Sequence, residues 1–340
     1  MQSVKDFDVQ NKRILVRCDF NVPVDEEGTI LDDFRMLKAL PTIQYLINND
    51  AKVILLAHLG EPEGIHVPHL TLDKVKNKLE ELLGFSVKKM DDCVGQEVQQ
   101  AIEELLPGKV LLLENVRFHK EETENNPEFA QQLASLSDIY INDAFDVCHR
   151  EHASVVGIPQ YISHGAGLQL QKEVENLTKI LDNPKKPFVV IMGGAKVETK
   201  AKFISHIATV ADMILIGGLL KKELGRTPEN VFGPSGDFSG FDINEETIAD
   251  FSKKIAGAKT ILWNGPLGKC EEEEYQKGTL AIAHAIIASG AFSIIGGGDT
   301  IAFLDKESIL DKFSHVSTGG GALLEFLSGQ ELPGLEVLKK

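Results

Sequence analysis

FVVIMGGAK (188–196) sets the reading of the fold: five apolar residues, then two glycines. The same phrase returns in MILIGG (213–218), TILWNGPLG (260–268), FSIIGGGDT (292–300) and HVSTGGGALLE (315–325). Each apolar run suits a strand buried on both faces, as in a parallel sheet. Each glycine group lies where the chain must turn tightly, or where backbone N–H groups must come close to a ligand. Ligands of open α/β sheets bind beyond the carboxyl ends of the strands. Glycine-rich strand ends opening toward helices therefore predict an anion site, suited to a nucleotide polyphosphate. One such repeat is ordinary α/β punctuation; the signal is in the recurrence.

The first half keeps the strand rhythm and changes the endings. RILVRCDFN (13–21) ends in Arg17, Asp19 and Asn21, and KVILLAHLG (52–60) in His58. KVLLLENVRFH (109–119) ends in Asn115, Arg117 and His119. DIYINDAFDVCHREH (138–152) ends in Asn142, Asp143, His149, Arg150 and His152. Arginine offers a planar, permanently charged fork for carboxylate or phosphate. One half thus presents a polyphosphate cradle and the other an Arg/His cluster for a small anion. Two anion sites on two domains point to phosphoryl transfer between them.

Composition fits that reading. A chain of 340 residues exceeds the usual single-domain range, and 43% hydrophobic content supports two cores. No apolar run reaches 18 residues, so no membrane span is expected. The start, MQSVKDFDV, lacks a signal-peptide pattern. Cys18, Cys93, Cys148 and Cys270 form no CxxC pair, which predicts free thiols and a cytoplasmic location. Net charge is -16, and residues 1–165 carry 16 Lys and Arg against 28 Asp and Glu. Binding nucleic acid through a general basic surface is excluded. An Arg/His cluster in that acidic half is a focused positive spot, fit for a small, multiply charged anion.

Helical patterns alternate with the strands over 31–50, 70–84, 126–138, 167–183, 246–257 and 280–289. Thr71 is the expected N-cap and Gly84 the stop of the second. The helix over 167–183, ahead of the breaker NPKKP, is the expected interdomain connector. Residues 221–247 lack periodicity and read as loop.

Several stretches together resemble the phosphoglycerate kinase family over nearly the whole length. They are LVRCDFNVP (15–23), DDFRMLKALPTI (32–43), AHLG (57–60), LLLENVRFHKEE (111–122), INDAF (141–145), HREHAS (149–154), GGAKV (193–197), LWNGPLG (262–268), IIGGGDT (294–300) and STGGGALLEFLSGQELPG (317–334). The resemblance implies an α/β fold: two Rossmann-like three-layer α/β/α domains with mainly parallel sheets, joined by a helix across a cleft. It places a phosphoglycerate-binding domain at 1–165 plus 327–340, a connecting helix and hinge at 166–183, and a nucleotide-binding domain at 184–326. The peptide ELPGLEVLKK (331–340) is expected to return to the first domain.

The implied reaction converts 1,3-bisphosphoglycerate and MgADP into 3-phosphoglycerate and MgATP, reversibly, after domain closure. Asp19, Asn21, Arg35, His58, Arg117 and Arg150 match the phosphoglycerate-binding positions. Arg35, Lys196, Lys200 and Gly320 match positions that meet the transferring phosphoryl. Gly193, Gly194, Lys200, Gly217, Gly218, Asn264, Pro266, Glu271, Gly298, Asp299, Thr300, Gly319 and Gly321 match the nucleotide side. Asp299 would hold Mg²⁺ and Glu271 would meet the ribose. The implied partners are small molecules only, with no nucleic acid and no membrane, and the chain is expected to act as a monomer.

Four departures from the family pattern stand out. Glu61 replaces an arginine after HLG, Asp146 replaces a glycine after INDAF, and Thr199 replaces an aspartate. After GGLLKKELGRTPENVFG (217–233) the chain runs quickly into GFDINEET (240–247), where the family has several dozen more residues. That predicts a reduced second domain with a narrower sheet. The alternative function is a non-catalytic descendant binding a nucleotide, a sugar phosphate or a protein. A dinucleotide dehydrogenase fails, because no GxGxxG opens a helix with an acidic residue about 20 positions on.

Overall fold

The computed structural model describes residues 1–194, 197–225, 227–236 and 240–339, with the backbone alone at 197–199. The chain divides into two units, Met1–Glu173 with Glu331–Lys340, and Val174–Gln330.

The first unit is built on β1 (Arg13–Cys18), β2 (Lys52–Ala57), β3 (Lys88–Lys89), β4 (Val110–Leu112), β5 (Ile139–Asn142) and β6 (Ser163–Ala166). They form a parallel sheet in the order β3-β4-β2-β1-β5-β6. Its helices are α1 (Phe34–Asn48), α2 (Asp73–Leu83), α3 (Gln96–Glu103), α4 (Lys120–Thr123) and α5 (Pro127–Ala134). Strand side chains alternate between two cores. Ile14, Val16, Val53 and Leu55 pack with Met36 and Ile43 of α1 and Val75 and Leu79 of α2. Leu15, Ile54 and Leu56 pack with Val98 and Ile102 of α3 and Phe129 and Leu133 of α5. Burial on both faces explains why β1 and β2 read as continuous apolar runs.

Next comes α6 (Leu168–Asp182), within the expected 167–183. Its first turn is held from β5: Asp143 Oδ1 accepts from the Gln169 and Leu170 N–H groups at 2.9 and 3.0 Å. This supplies the helix with a cap from outside its own sequence.

The second unit carries α7 (Val197–Ile207), α8 (Gly218–Glu223), α9 (Glu245–Ala256), α10 (Lys277–Ser289), α11 (Gly298–Lys306) and α12 (Gly320–Leu327). Its strands are β7 (Phe188–Met192), β8 (Met213–Ile216), β9 (Val231–Phe232), β10 (Thr260–Asn264), β11 (Phe292–Gly296) and β12 (His315–Val316). Their order is β12-β11-β10-β7-β8-β9, again parallel. The last helix, α13 (Pro333–Glu336), belongs to the first unit, where the Gly334 N–H donates to the Cys148 carbonyl at 2.9 Å.

Two expectations are corrected. The second unit is not obviously reduced: its sheet has six strands among the described residues, as many as the first. The short stretch after α8 still supplies β9, which pairs with β8 and covers that edge. Thr71 does not cap α2; Leu72 holds that position, and the Thr71 hydroxyl donates to Asp73 Oδ2 at 2.9 Å. Gly84 does stop α2, at φ +76°.

Candidate active site

Strand order reverses direction between β1 and β5 in one unit and between β7 and β10 in the other, and such points gather ligand groups. In the first unit, Arg17 on β1 is fully buried. Its Nε donates to Ser154 Oγ at 2.9 Å and its Nη1 to the Cys18 carbonyl at 2.8 Å, and its Nη2 lies 3.1 Å from His58 Nδ1. Ser154 in turn gives its hydroxyl and N–H to the two oxygens of buried Glu122, at 2.5 and 2.8 Å. Burial pushes the Glu122 carboxyl up, while Arg17 and the Ser154 bonds pull it down. This relay holds Arg17 and His58 in place at the strand ends.

Around it stand the expected ligand groups. Arg35, at the start of α1, donates to Asp19 Oδ2 at 2.6 Å, and Asp19 holds the guanidinium pKa above its ordinary value. Asn21 Oδ1 accepts from the Gly60 N–H at 2.9 Å, which orders the loop after β2. Arg117 sits in the turn after β4 and donates from Nη1 to the Gly60 carbonyl at 2.9 Å and to Glu61 Oε1 at 2.7 Å. Burial, with Arg17, Arg117 and Arg35 adding to it, keeps His58 well below the usual histidine pKa. Burial first, then nearby arginines, likewise holds His149 and His152 at about 4. At neutral pH this cluster's charge therefore comes from arginine, not imidazolium. Arg150 is exposed at the rim, close enough to depress both histidines.

In the second unit, the ends of β7 and β10 approach so closely that side chains are excluded. A Cβ on Gly193 would lie 1.9 Å from the Pro266 carbonyl oxygen. One on Gly265, at φ +86°, would lie 2.2 Å from the Gly193 carbonyl. The Trp263 indole N–H pins this turn by donating to the Gly265 carbonyl at 2.9 Å.

Beside the turn opens a cavity of about 450 Å³, within the usual range for small-molecule sites. Six expected residues line it: Gly194, Gly217, Gly218, Pro266, Glu271 and Asp299. Gly193, Lys200, Asn264, Gly298, Thr300, Gly319, Gly320 and Gly321 are not in its wall. Lys200 is buried with Nζ donating to the Gly193 carbonyl at 2.5 Å. Thr300 is buried with an unpartnered hydroxyl, and Asn264 is buried at the end of β10. The Gly319 N–H is taken by Ser317 Oγ at 3.1 Å, which leaves the first turn of α12 to Gly320 and Gly321. Lys196 lies outside the described residues.

The sequence reading missed Phe241, Lys222 and Lys269, which also line the cavity. Phe241 is 53% exposed and stacks on Tyr275, with centroids 5.3 Å apart. Its signal was one of three phenylalanines in a non-periodic stretch, which alone carries no meaning.

Comparison with known proteins shows the family. The family model for phosphoglycerate kinase matches residues 4–233 and 226–330. Phosphoglycerate kinase of Moorella thermoacetica is 42% identical over 388 aligned positions, covering 99% of this chain and 98% of the relative. That of Dictyoglomus turgidum is 43% identical with the same coverage. The aligned positions outnumber this chain's 340 residues, so the relatives carry residues for which it has no counterpart. Among solved structures, phosphoglycerate kinase from Pyrococcus horikoshii OT3 superposes with TM-score 0.90 at 31% identity, covering 100% of this chain and 98% of the other. The Coxiella burnetii enzyme gives 0.82 at 35%, covering 99% and 98%. The chain belongs to the phosphoglycerate kinase family.

Proposed function

We propose that the chain transfers a phosphoryl group reversibly from the acyl phosphate of 1,3-bisphosphoglycerate to ADP, a step of glycolysis. The observation that carries this reading is the pair of strand-order reversals. One presents arginines and the other glycine backbone beside a cavity. Asp19, Asn21, Arg35, His58, Arg117 and Arg150 hold the phosphoglycerate. The cavity takes the nucleotide, with Phe241 offering a face to the base and Glu271 reaching the ribose.

Phosphoryl transfer needs in-line placement and donors that meet charge spread over the equatorial oxygens. Arg35, Lys196, Lys200 and the α12 N-terminus at Gly320 are those donors. Asp299, exposed in the first turn of α11, lines the cavity. Among the described residues no group of three or more His, Cys, Asp or Glu is poised to hold a metal. A single carboxylate suits Mg²⁺, which is commonly held by one or two carboxylates together with nucleotide phosphates and water. Asp299 would hold that ion, which neutralises phosphate charge when bound.

The four cysteines are buried and free, which fits a reducing cytoplasm, and we read the protein as a monomer there. No helix among the described residues is long and apolar enough to cross a membrane. A second reading, a non-catalytic descendant, draws on one observation: Glu61 and Asp146 add carboxylates to the anion site.

Ligand-induced thermal stabilisation tests the assignment of ligands to units. The expected result is that 3-phosphoglycerate and MgADP each raise the Tm. Arg35→Ala should lose only the first effect and Phe241→Ala should weaken only the second. Failure of both ligands to stabilise the wild type would overturn the reading.

A further inference from the structure

We propose that Asp146 is a ligand-contacting residue of the first unit's anion site and works as a carboxylic acid. Its O–H donates to the bound phosphoglycerate, so binding takes up one proton from solvent. The proposal rests on reading this site as the phosphoglycerate site.

Asp146 lies in the turn after β5, at the strand-order reversal, and is 9% exposed. Its Oδ2 is 3.5 Å from Arg35 Nη1 and 3.9 Å from His58 Nε2. Its Oδ1 is buried with no hydrogen-bond partner. Buried polar groups are nearly always partnered, so this oxygen, like His149 Nδ1 and His152 Nδ1 of the same cluster, is left for something else. Arg117 Nε is a second buried atom without a partner in the same cluster.

The charges around it decide its state. Buried Arg17 and Asp19 come from β1 and its end, Arg35 from α1, Arg117 from the turn after β4, and Glu122 from α4. His58 follows β2, and His149, Arg150 and His152 share the loop of Asp146. The three histidines are neutral at pH 7. Buried Arg17 and Arg117 and half-buried Arg35 are matched one for one by the carboxyls of Asp19, Glu122 and Asp146. Glu61 adds another carboxylate at the rim. A phosphate dianion entering this set with every carboxyl ionised meets no excess of buried positive charge.

One carboxyl can give way. Glu122 accepts two bonds from Ser154, and Asp19 accepts from Arg35 and from the Asn21 N–H. Asp146 has no such bonds to lose. Burial, reinforced by Asp19 and opposed by Arg35, Arg17 and Arg117, already brings it to about 7. An incoming anion favours the protonated form further. An acid hydroxyl facing an anionic oxygen makes a short, charge-assisted hydrogen bond, whereas an ionised Asp146 repels the same ligand.

Calorimetric titration of the full chain with 3-phosphoglycerate, at pH 7.5 to 8.5, tests this in buffers of different ionisation enthalpy. The ligand's own phosphate is a dianion there, with a second pKa near 6, and does not take the proton. The expected uptake is about one proton per ligand, with affinity falling about tenfold per pH unit. Asp146→Asn should take up none, show a flat profile and bind about tenfold tighter than wild type near pH 8. Wild-type binding without proton uptake overturns the proposal, even if the variant does not fold. So does a variant with the wild-type slope. No binding at any pH from 6 to 8.5, in a chain that still binds MgADP, overturns the reading of the site and the proposal with it.

Discussion

Glu61 Oε1, in the loop after β2, accepts a hydrogen bond from Arg117 Nη1, in the turn after β4, at 2.7 Å. The Glu61 side chain is 70% exposed, so the pair is worth at most about 1 kcal/mol after solvent screening. It nevertheless occupies an arginine donor that the proposed site assigns to the ligand. Glu61→Gln is expected to lower the KM for 3-phosphoglycerate about two- to fivefold, leaving the nucleotide KM unchanged. Glu61→Arg should go further in the same direction. Initial rates at fixed MgATP decide it; a raised KM in Glu61→Gln would show that Glu61 instead holds Arg117 in its working pose.

Asp143 ties stability to pH. Burial pushes its carboxyl up to about 7, against hydrogen bonds from Thr42, Leu170 and Gln169. In the unfolded chain an aspartate titrates near 4. Between about 4 and 7 the folded state therefore binds the extra proton. The contribution is fully present below pH 4 and is lost as pH rises through 7. Asp146 adds to the same slope. The Asp143 contribution should fall by on the order of a few kcal/mol between pH 5 and pH 8; His58, His149 and His152, held neutral by the fold, oppose it below about pH 6.5, so it is read as the difference between wild type and Asp143→Asn. Urea titrations across the range check it.

Gly167 has no room for a side chain, since a Cβ there would lie 2.1 Å from Asp143 Oδ1. Gly167→Ala would displace the carboxyl that caps α6. The expected loss is about 2 kcal/mol or more, combining overpacking with a lost cap, and is read from denaturation midpoints.

Ser154→Ala would strand two charged groups at once, since Ser154 Oγ links Arg17 Nε to Glu122 Oε1. Leaving buried charged groups short of partners costs about 2–4 kcal/mol. The KM for 3-phosphoglycerate should also rise as Arg17 and His58 lose their register. An unchanged unfolding midpoint would contradict the relay.

Phe241→Ala tests the one large aromatic face among the described residues that line the cavity. Stacking of a base on an aromatic ring is worth about 1–3 kcal/mol, so the nucleotide KM should rise by about tenfold. The KM for 3-phosphoglycerate should stay the same.

Every apolar run quoted from the sequence is a strand, because burial on both faces of a parallel sheet writes itself as unbroken hydrophobicity. The strands that went unread are β3, β6 and β9, three of the four sheet edges. They have two to four residues and partly exposed side chains, such as Lys88 and Ser163, so neither length nor period marks them. The expectation of a narrow second sheet came from the residues missing after 233 relative to the family pattern, whereas β9 in the short stretch that remains still makes a sixth strand. The arginines and glycines of the sites were legible from residue type at strand ends. Their pairings were not: that Glu61 reaches Arg117, or that Asp146 is buried with a bare oxygen, depends on loops whose geometry no local pattern encodes. Gly193 carries a packing requirement that the sequence did not show: its missing side chain makes room for the Pro266 carbonyl.

The most direct test of the central claim is ATP formation from ADP and 1,3-bisphosphoglycerate generated in situ, beside a Lys200→Ala control. The account predicts turnover by the wild type and a loss of about 100-fold or more in a folded control, as expected for removing a charge-stabilising donor. A folded wild-type chain that binds both 3-phosphoglycerate and MgADP but forms no ATP would contradict it.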